Sequence, residues 1–260
     1  CTGEVADHTL ALLLALNRRL LDYDRQVRRD RDWAWDRVTG LRRLAGQVLG
    51  IVGLGRIGRA VAARARGFGL GVIAHDPWLS AAEAPVDIPL LPLDALLARA
   101  DIISLHCPMS DETRNLFHRE VFRRMKPDAI LINTARGGIV NEQDLADALR
   151  AGEIGGAGVD VFSVEPPPTD HPLLAPDIPN LVVTPHNAWG SRQARQECID
   201  QLTAVIRSFE VRAEVDAPPE ATWSVLTAWE RQSEWVMLTT TRGIGPTGGH
   251  AVNLADLHDE

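Results

Sequence analysis

The chain has 260 residues, a formal net charge of −8 at pH 7 and 45% hydrophobic residues, enough for one large or two modest domains around an apolar core. The acidic balance, with a mixed-sign Arg/Asp stretch at 25–37 rather than a basic patch, argues against nucleic acid or an anionic membrane as partner. Three cysteines (Cys1, Cys107, Cys198) lack metal-ligand spacing, so no metal site is expected, and they suit a reducing cytoplasm.

Thr2 reads as a helix N-cap with Glu4 in the first turn. Residues 5–21 then run apolar nearly all round, which predicts a buried or interface helix. The wholly apolar run at 10–16 has seven residues, well short of the ~20 needed to span a bilayer. No basic region and cleavage site precede it, so no signal peptide is expected.

Residues 48–52 form an apolar strand leading into Gly53-x-Gly55-x-x-Gly58. An alanine-rich helix over 60–68 follows, then a second strand over 70–75 ending at Asp76, which stands 18 positions after Gly58. Glycines allow the tight turn and close approach to a pyrophosphate, while the helix N-terminus offers free N–H groups and positive dipole. The pattern alone is weak, since a glycine-rich turn can exist without nucleotide. A strand before it, a helix after it and a carboxylate at ribose distance point to dinucleotide binding. Asp76 is followed by Pro77-Trp78 with no adjacent cation for a 2′-phosphate, which favours NAD over NADP.

Short buried strands are predicted at 102–105, 129–133, 157–161 and 181–184, with helices at 93–99, 119–125 and 142–151 between them. Such alternation argues an α/β fold with a doubly wound parallel sheet, a Rossmann-type NAD-binding domain. Proline-rich loops at 85–92 and 166–168 fall between elements. A helix over 191–209 closes the unit, and a junction is expected at 209–213. Beyond it the pattern changes, with Trp223, Trp229 and Trp235 at six-residue spacing.

Three further segments stand at strand ends: Asn133-Thr134-Ala135-Arg136, Asp160 to Glu165 with its three prolines, and Thr184-Pro185-His186 to Trp189. In an open α/β sheet these ends face the same crevice as the glycine turn. Arginine, glutamate and histidine there suit hydride transfer to a 2-keto acid. A guanidinium grips a carboxylate in two places, and a histidine exchanges the proton at the carbonyl oxygen. A carboxylate beside that histidine favours its imidazolium and orients it. Each has a plainer reading: His186 as a capped loop residue, Arg136 as a surface cation, Glu165 as a cap on the proline-rich loop. His75 and His106 read as structural, and Cys107 has no leftover histidine–carboxylate pair to activate it.

Taken in order, Leu-Gly-Ile-Val-Gly-Leu-Gly-Arg-Ile-Gly, His106-Cys-Pro with Thr113, Asn-Thr-Ala-Arg-Gly-Gly, Gly-Val-Asp-Val-Phe-x-x-Glu-Pro and Thr-Pro-His-x-Ala-Trp resemble the D-isomer-specific 2-hydroxyacid dehydrogenase family across residues 2–209. The last motif is most similar to the branch with the C-terminal-binding-protein corepressors and phosphoglycerate dehydrogenase-like relatives. The resemblance implies Arg136 as carboxylate anchor, His186 as acid/base and Glu165 as its partner. It implies Gly53, Gly55, Arg56, Ile57 and Gly58 around the cofactor, Asp76 on the adenosine ribose and Asp160 at the nicotinamide carboxamide. Thr134, Ala135, Arg136, His186 and the loop with Cys107, Pro108 and Thr113 would line NAD, and Trp189 would border the substrate.

Two departures from the family stand out. Members carry most of a substrate domain ahead of the helix at Val5, so this chain is expected to hold an incomplete one. Residues 214–231 resemble the opening strand and helix of a polyketide-cyclase/START-like domain, too short to bury its own apolar faces. The expected organisation is an interdomain or dimer helix at 1–30, the NAD-binding domain at 31–188, a closing helix at 189–212 and a poorly ordered START-like fragment at 213–260. The reading is an NAD-dependent oxidoreductase interconverting a small D-2-hydroxy acid and its 2-keto acid, as a cytoplasmic homodimer. Two alternatives stand beside it: a corepressor-like NAD-binding interaction protein, and an inactive truncated fragment.

Overall fold

The computed structural model describes residues 1–208, except Ala81 and Glu83, together with 242–243 and 250–251. Residues 1–194 make one compact unit and residues 195–260 a second. The expected junction at 209–213 and nearly all of the START-like segment lie outside the described residues. Within the second unit, Arg242–Gly243 and His250–Ala251 pair as a short antiparallel ladder.

The first unit is built on six parallel strands: β1 (Val48–Val52), β2 (Gly71–His75), β3 (Ile102–Leu105), β4 (Ile130–Asn133), β5 (Gly156–Val159) and β6 (Leu181–Val183). Their order is β2-β1-β3-β4-β5-β6. Their sequences are near-continuous apolar runs rather than alternating ones because helices cover both faces. On one face lie α1 (Thr2–Asn17) and α3 (Arg56–Gly67), packed on Leu49, Ile51, Ile102 and Ile132. On the other lie α4 (Leu93–Arg99), α5 (Arg119–Phe122) and α6 (Glu142–Ala151), packed on Val52, Ile103, Leu105 and Leu131. A further helix spans Arg192–Ser208.

Several boundaries differ from expectation. Thr2 is already helical and Cys1 takes the cap position, without a side-chain cap bond. The helix predicted over 5–21 stops at Asn17, whose buried amide bonds Gln47 and the Arg42 carbonyl. Arg19 then takes a left-handed φ of 52°, and a separate helix α2 (Leu20–Arg28) with no fully buried residue follows. Helix α1 is not a separate segment from the nucleotide domain: Ala6, Leu10, Leu12, Leu13 and Leu16 enter its core. Helix α3 starts at Arg56, four residues before the alanine-rich stretch, because the glycine turn feeds straight into it. Helix α5 is shorter than expected. Arg124 and Met125 bond three residues back, tightening the chain ahead of Pro127, which disfavours helix at the residue before it.

Candidate functional site

The chain runs from β1 outward to β2, then crosses back to β3, so the strand order reverses between β1 and β3. A crevice opens at the carboxyl ends on either side of that reversal, where ligands of such sheets bind. Every sequence-predicted site residue except the loop member Thr113 stands within six residues of a strand's carboxyl end.

The glycine turn follows β1. Gly53 has φ 93° and sits so close to the next loop that a Cβ would lie 2.5 Å from the Cys107 nitrogen. A Cβ on Gly58 would lie 2.3 Å from the Gly53 carbonyl oxygen, so only glycine lets helix and strand meet this closely. Gly55 caps α3 and faces open space within 4 Å. No side chain caps that helix, so the first-turn N–H groups of Arg56, Ile57 and Gly58 remain available to an anion. This open, uncapped cradle fits a dinucleotide pyrophosphate.

Asp76, after β2, accepts the Leu54 N–H at 2.8 Å and the Trp78 N–H at 3.0 Å, tying this carboxylate to the glycine turn. Asp76, Arg56, Arg59 and exposed Trp78 line one groove of about 440 Å³. Arg56 is among the residues the resemblance implies around the cofactor, but Arg59 was not foreseen, nor that both arginines would stand beside Asp76. They come from α3, and Arg59 also donates to the Leu54 carbonyl at 3.0 Å. After β3, Thr113 closes the loop by donating to the Pro108 carbonyl at 2.7 Å and accepting the Ser110 N–H at 2.7 Å. Burial pushes the Cys107 thiol up to about 11, so it stays protonated at neutral pH. Burial of the His106 ring pushes it down to about 4, leaving it a neutral partner of Ser104 at 2.8 Å. His75 lies 3.0 Å from the Leu91 carbonyl.

After β4, buried Asn133 braces the turn that presents Arg136. Its side chain donates to the Arg136 carbonyl at 2.9 Å and accepts the Ala135 N–H at 3.1 Å. Thr134 is buried and Ala135 half-buried, while Arg136 is exposed, with its guanidinium on the Ala135 carbonyl at 2.6 Å.

After β5 and β6, Glu165 and His186 pair at 2.5 Å through Nδ1. The other Glu165 oxygen accepts the Phe162 N–H at 2.8 Å. Partial burial pushes the Glu165 carboxyl up, but the His186 hydrogen bond, the Phe162 N–H and the charges of His186 and Arg136 outweigh it. The carboxyl therefore stays below its usual range. An ionised Glu165 requires the proton on Nδ1, which leaves Nε2 as the nitrogen that can give and take a proton. A cleft of about 490 Å³ lined by Phe162, Leu174, Val183 and Pro185 adjoins the pair. Trp189 donates its indole N–H to the His186 carbonyl at 3.0 Å.

Asp160, just after β5, also lines that cleft. Its side chain has no exposed surface. The carboxylate accepts the Thr184 hydroxyl at 2.5 Å, the Asn187 N–H at 3.1 Å and the Ala188 N–H at 3.0 Å. These bonds tie it to the His186 loop.

Sequence reading also missed a second histidine–carboxylate pair. Glu142 accepts the Ser163 N–H at 2.7 Å and the Ser163 hydroxyl at 2.5 Å, and His171 Nε2 lies 3.1 Å away. Since His171 Nδ1 accepts the Leu173 N–H, Nε2 is the donor. The pair anchors the turn that carries Glu165, and a histidine followed by proline after the Pro-rich run was its only sequence signal. Among the described residues there is no cluster suited to a metal ion, and no helix is long and apolar enough to cross a membrane.

Residues 10–188 match the family described as D-isomer specific 2-hydroxyacid dehydrogenase, NAD binding domain. Glycerate dehydrogenase of Methylorubrum extorquens is 41% identical over 210 residues, covering 79% of this chain and 64% of that protein. This chain therefore spans less than two thirds of that relative. Among solved structures, the TT0316 protein of Thermus thermophilus is 43% identical with a TM-score of 0.72, covering 80% of this chain and 66% of that one. D-lactate dehydrogenase of Aquifex aeolicus, solved with NAD and lactic acid, is 31% identical with a TM-score of 0.71, covering 80% and 67%.

Proposed function

The chain belongs to the D-isomer specific 2-hydroxyacid dehydrogenase family, in its NAD-binding domain, and from this premise we propose that it is an NAD-dependent oxidoreductase interconverting a small D-2-hydroxy acid and its 2-keto acid. The observation that carries the proposal is the His186–Glu165 pair, set 2.5 Å apart beside Arg136 on the rim that also holds the glycine cradle. The relatives named above are mostly dehydrogenases, which supports the enzymatic reading over a corepressor-like one.

NAD, when bound, supplies or accepts the hydride. Gly53, Gly55, Arg56, Ile57 and Gly58 hold its pyrophosphate at the start of α3 and Asp76 its ribose, with Thr134, Ala135 and the 107–113 loop along it. Arg136 holds the substrate carboxylate by charge-assisted bonds. His186 Nε2 exchanges the proton at the substrate oxygen, while Glu165 keeps the ring oriented and steadies its charged form. Trp189 borders the substrate and fixes the His186 carbonyl. A cytoplasmic homodimer completes the reading. Exposed Leu20, Leu21, Trp33 and Trp35 near α2 support association with a second copy, and the few free cysteines support a reducing compartment.

The test is NADH oxidation with glyoxylate, hydroxypyruvate, pyruvate and bulkier 2-keto acids, run beside His186→Ala. Turnover that the variant loses is the expected outcome. No turnover on any acid overturns the reading.

A further inference from the structure

Helix α1 is apolar nearly all round, yet two adjacent polar residues, His8 and Thr9, point into the protein at different strand ends. Thr9 is fully buried. Its hydroxyl donates to the Val5 carbonyl at 2.7 Å and lies 2.9 Å from the Thr134 hydroxyl, which is therefore the donor between them. Thr134 sits on the turn that presents Arg136. His8 Nε2 lies 3.0 Å from the Thr184 hydroxyl oxygen and 3.6 Å from an Asp160 carboxylate oxygen. Because the Thr184 hydroxyl donates to Asp160, its oxygen accepts from His8.

Asp160 passes this linkage to the His186 loop. Its carboxylate takes the N–H groups of Asn187 and Ala188, and its carbonyl takes the His186 N–H at 2.8 Å. His186 itself has φ 51°, a left-handed backbone that a residue with a side chain keeps only where its surroundings hold it. One helix thus touches both loops that carry the candidate chemistry, at adjacent positions and through buried or half-buried polar bonds.

We propose that His8 and Thr9 are positioning residues which set the placement of His186 relative to Arg136, through Thr184–Asp160 and Thr134 respectively. The inference rests on the dehydrogenase reading of the site. His8 bonds none of the residues placed along the cofactor above, so its replacement is expected to leave cofactor affinity nearly unchanged, whereas Thr9 bonds Thr134, which lines the cofactor, and is judged by its kcat and by rescue. A displacement of about 1 Å in a reacting group lowers rate by roughly 100-fold.

The experiment compares His8→Ala with His8→Gln, which keeps a donor, and Thr9→Val with Thr9→Ser, which keeps the hydroxyl. In NADH-coupled reduction of glyoxylate, the first of each pair should lose kcat by about 10- to 100-fold. NADH affinity, read by fluorescence titration, should stay within about twofold in the His8 variants, and the second of each pair should recover most of the rate. An unchanged kcat in His8→Ala and Thr9→Val, or a loss that tracks lowered melting temperature without rescue, overturns the inference. Failure of the underlying reading is visible separately, as absent turnover in the unmodified chain. In that case amide hydrogen exchange decides. His8→Ala should speed exchange at His186, Asn187 and Ala188 by about tenfold and leave β1 unchanged, with His8→Gln restoring it. Exchange unaltered by His8→Ala rejects the linkage.

Discussion

The two ends of the crevice are built by opposite means. The glycine turn after β1 is a backbone device: Gly53 and Gly58 let strand, helix and the 106–107 loop approach more closely than any Cβ allows, and Gly55 between them leaves the start of α3 open. The His186 loop is a side-chain device. Its strained backbone is held by Asp160 after β5, Thr184 after β6 and His8 from α1, and its imidazole by Glu165 from a loop 21 residues away. The contrast teaches that binding and proton transfer can fail independently, because one rests on local sterics and the other on remote hydrogen bonds.

The largest expected effect breaks the comparison on the chemical side. His186→Ala should lower kcat by about 10²- to 10⁴-fold while NADH affinity barely changes. Equal losses in both would mean that the ends are not separate devices. Gly58→Ala tests the other side. Its added Cβ meets backbone at 2.3 Å, so NADH binding should be lost, with a stability cost of about 1–3 kcal/mol in urea unfolding.

Glu165→Gln sharpens the chemical side further. Gln cannot stabilise the imidazolium as a carboxylate does, and a roughly tenfold fall in kcat with unchanged NADH affinity is expected. The native carboxyl sits below its usual range, so the pairing is complete above about pH 4.5 and weakens only as pH falls through the lower folded value. Proton NMR of the His186 ring against pH would follow this: pairing lost well above pH 4.5 contradicts the assigned geometry.

The smallest effect is a control at the opposite end of the sheet. Buried Asp101 accepts the Val48 N–H at 2.9 Å, Arg42 at 2.8 Å and Lys126 at 3.1 Å. Burial pushes its carboxyl up, but these three donors outweigh it and hold the carboxyl below its usual range. Its contribution to stability is therefore complete above about pH 4 and is lost as pH falls through the folded value. Asp101→Asn should lower stability by about 1–3 kcal/mol at neutral pH and flatten the acid decline, with kcat per folded molecule unchanged. A changed kcat would mean that the two ends of the sheet are coupled.

Much of the architecture is legible in the sequence. The strand at 102–105 and the helices at 93–99 and 142–151 fall where apolar runs and periodicity place them. The helix expected over 5–21 ends early even though Leu20 and Leu21 continue its apolar pattern. Whether they find a core depends on packing, and here they are half-exposed. The Glu142–His171 pair and the placing of Arg56 and Arg59 beside Asp76 are invisible in the sequence for a related reason: the partners lie far apart along the chain or on a different element.

What the sequence determined by itself is the set of local devices: the glycine turn, the apolar strands, the alternation that makes a parallel sheet, and motif residues after strand ends. Those follow from backbone sterics and side-chain pattern over a few neighbouring residues. Only the tertiary structure decided that His8, 176 positions from Thr184, stands behind the His186 loop, and that Asp160 turns its carboxylate inward to hold it. Strand order and helix docking set such contacts, and both emerge from burying the whole core at once rather than from any segment of it.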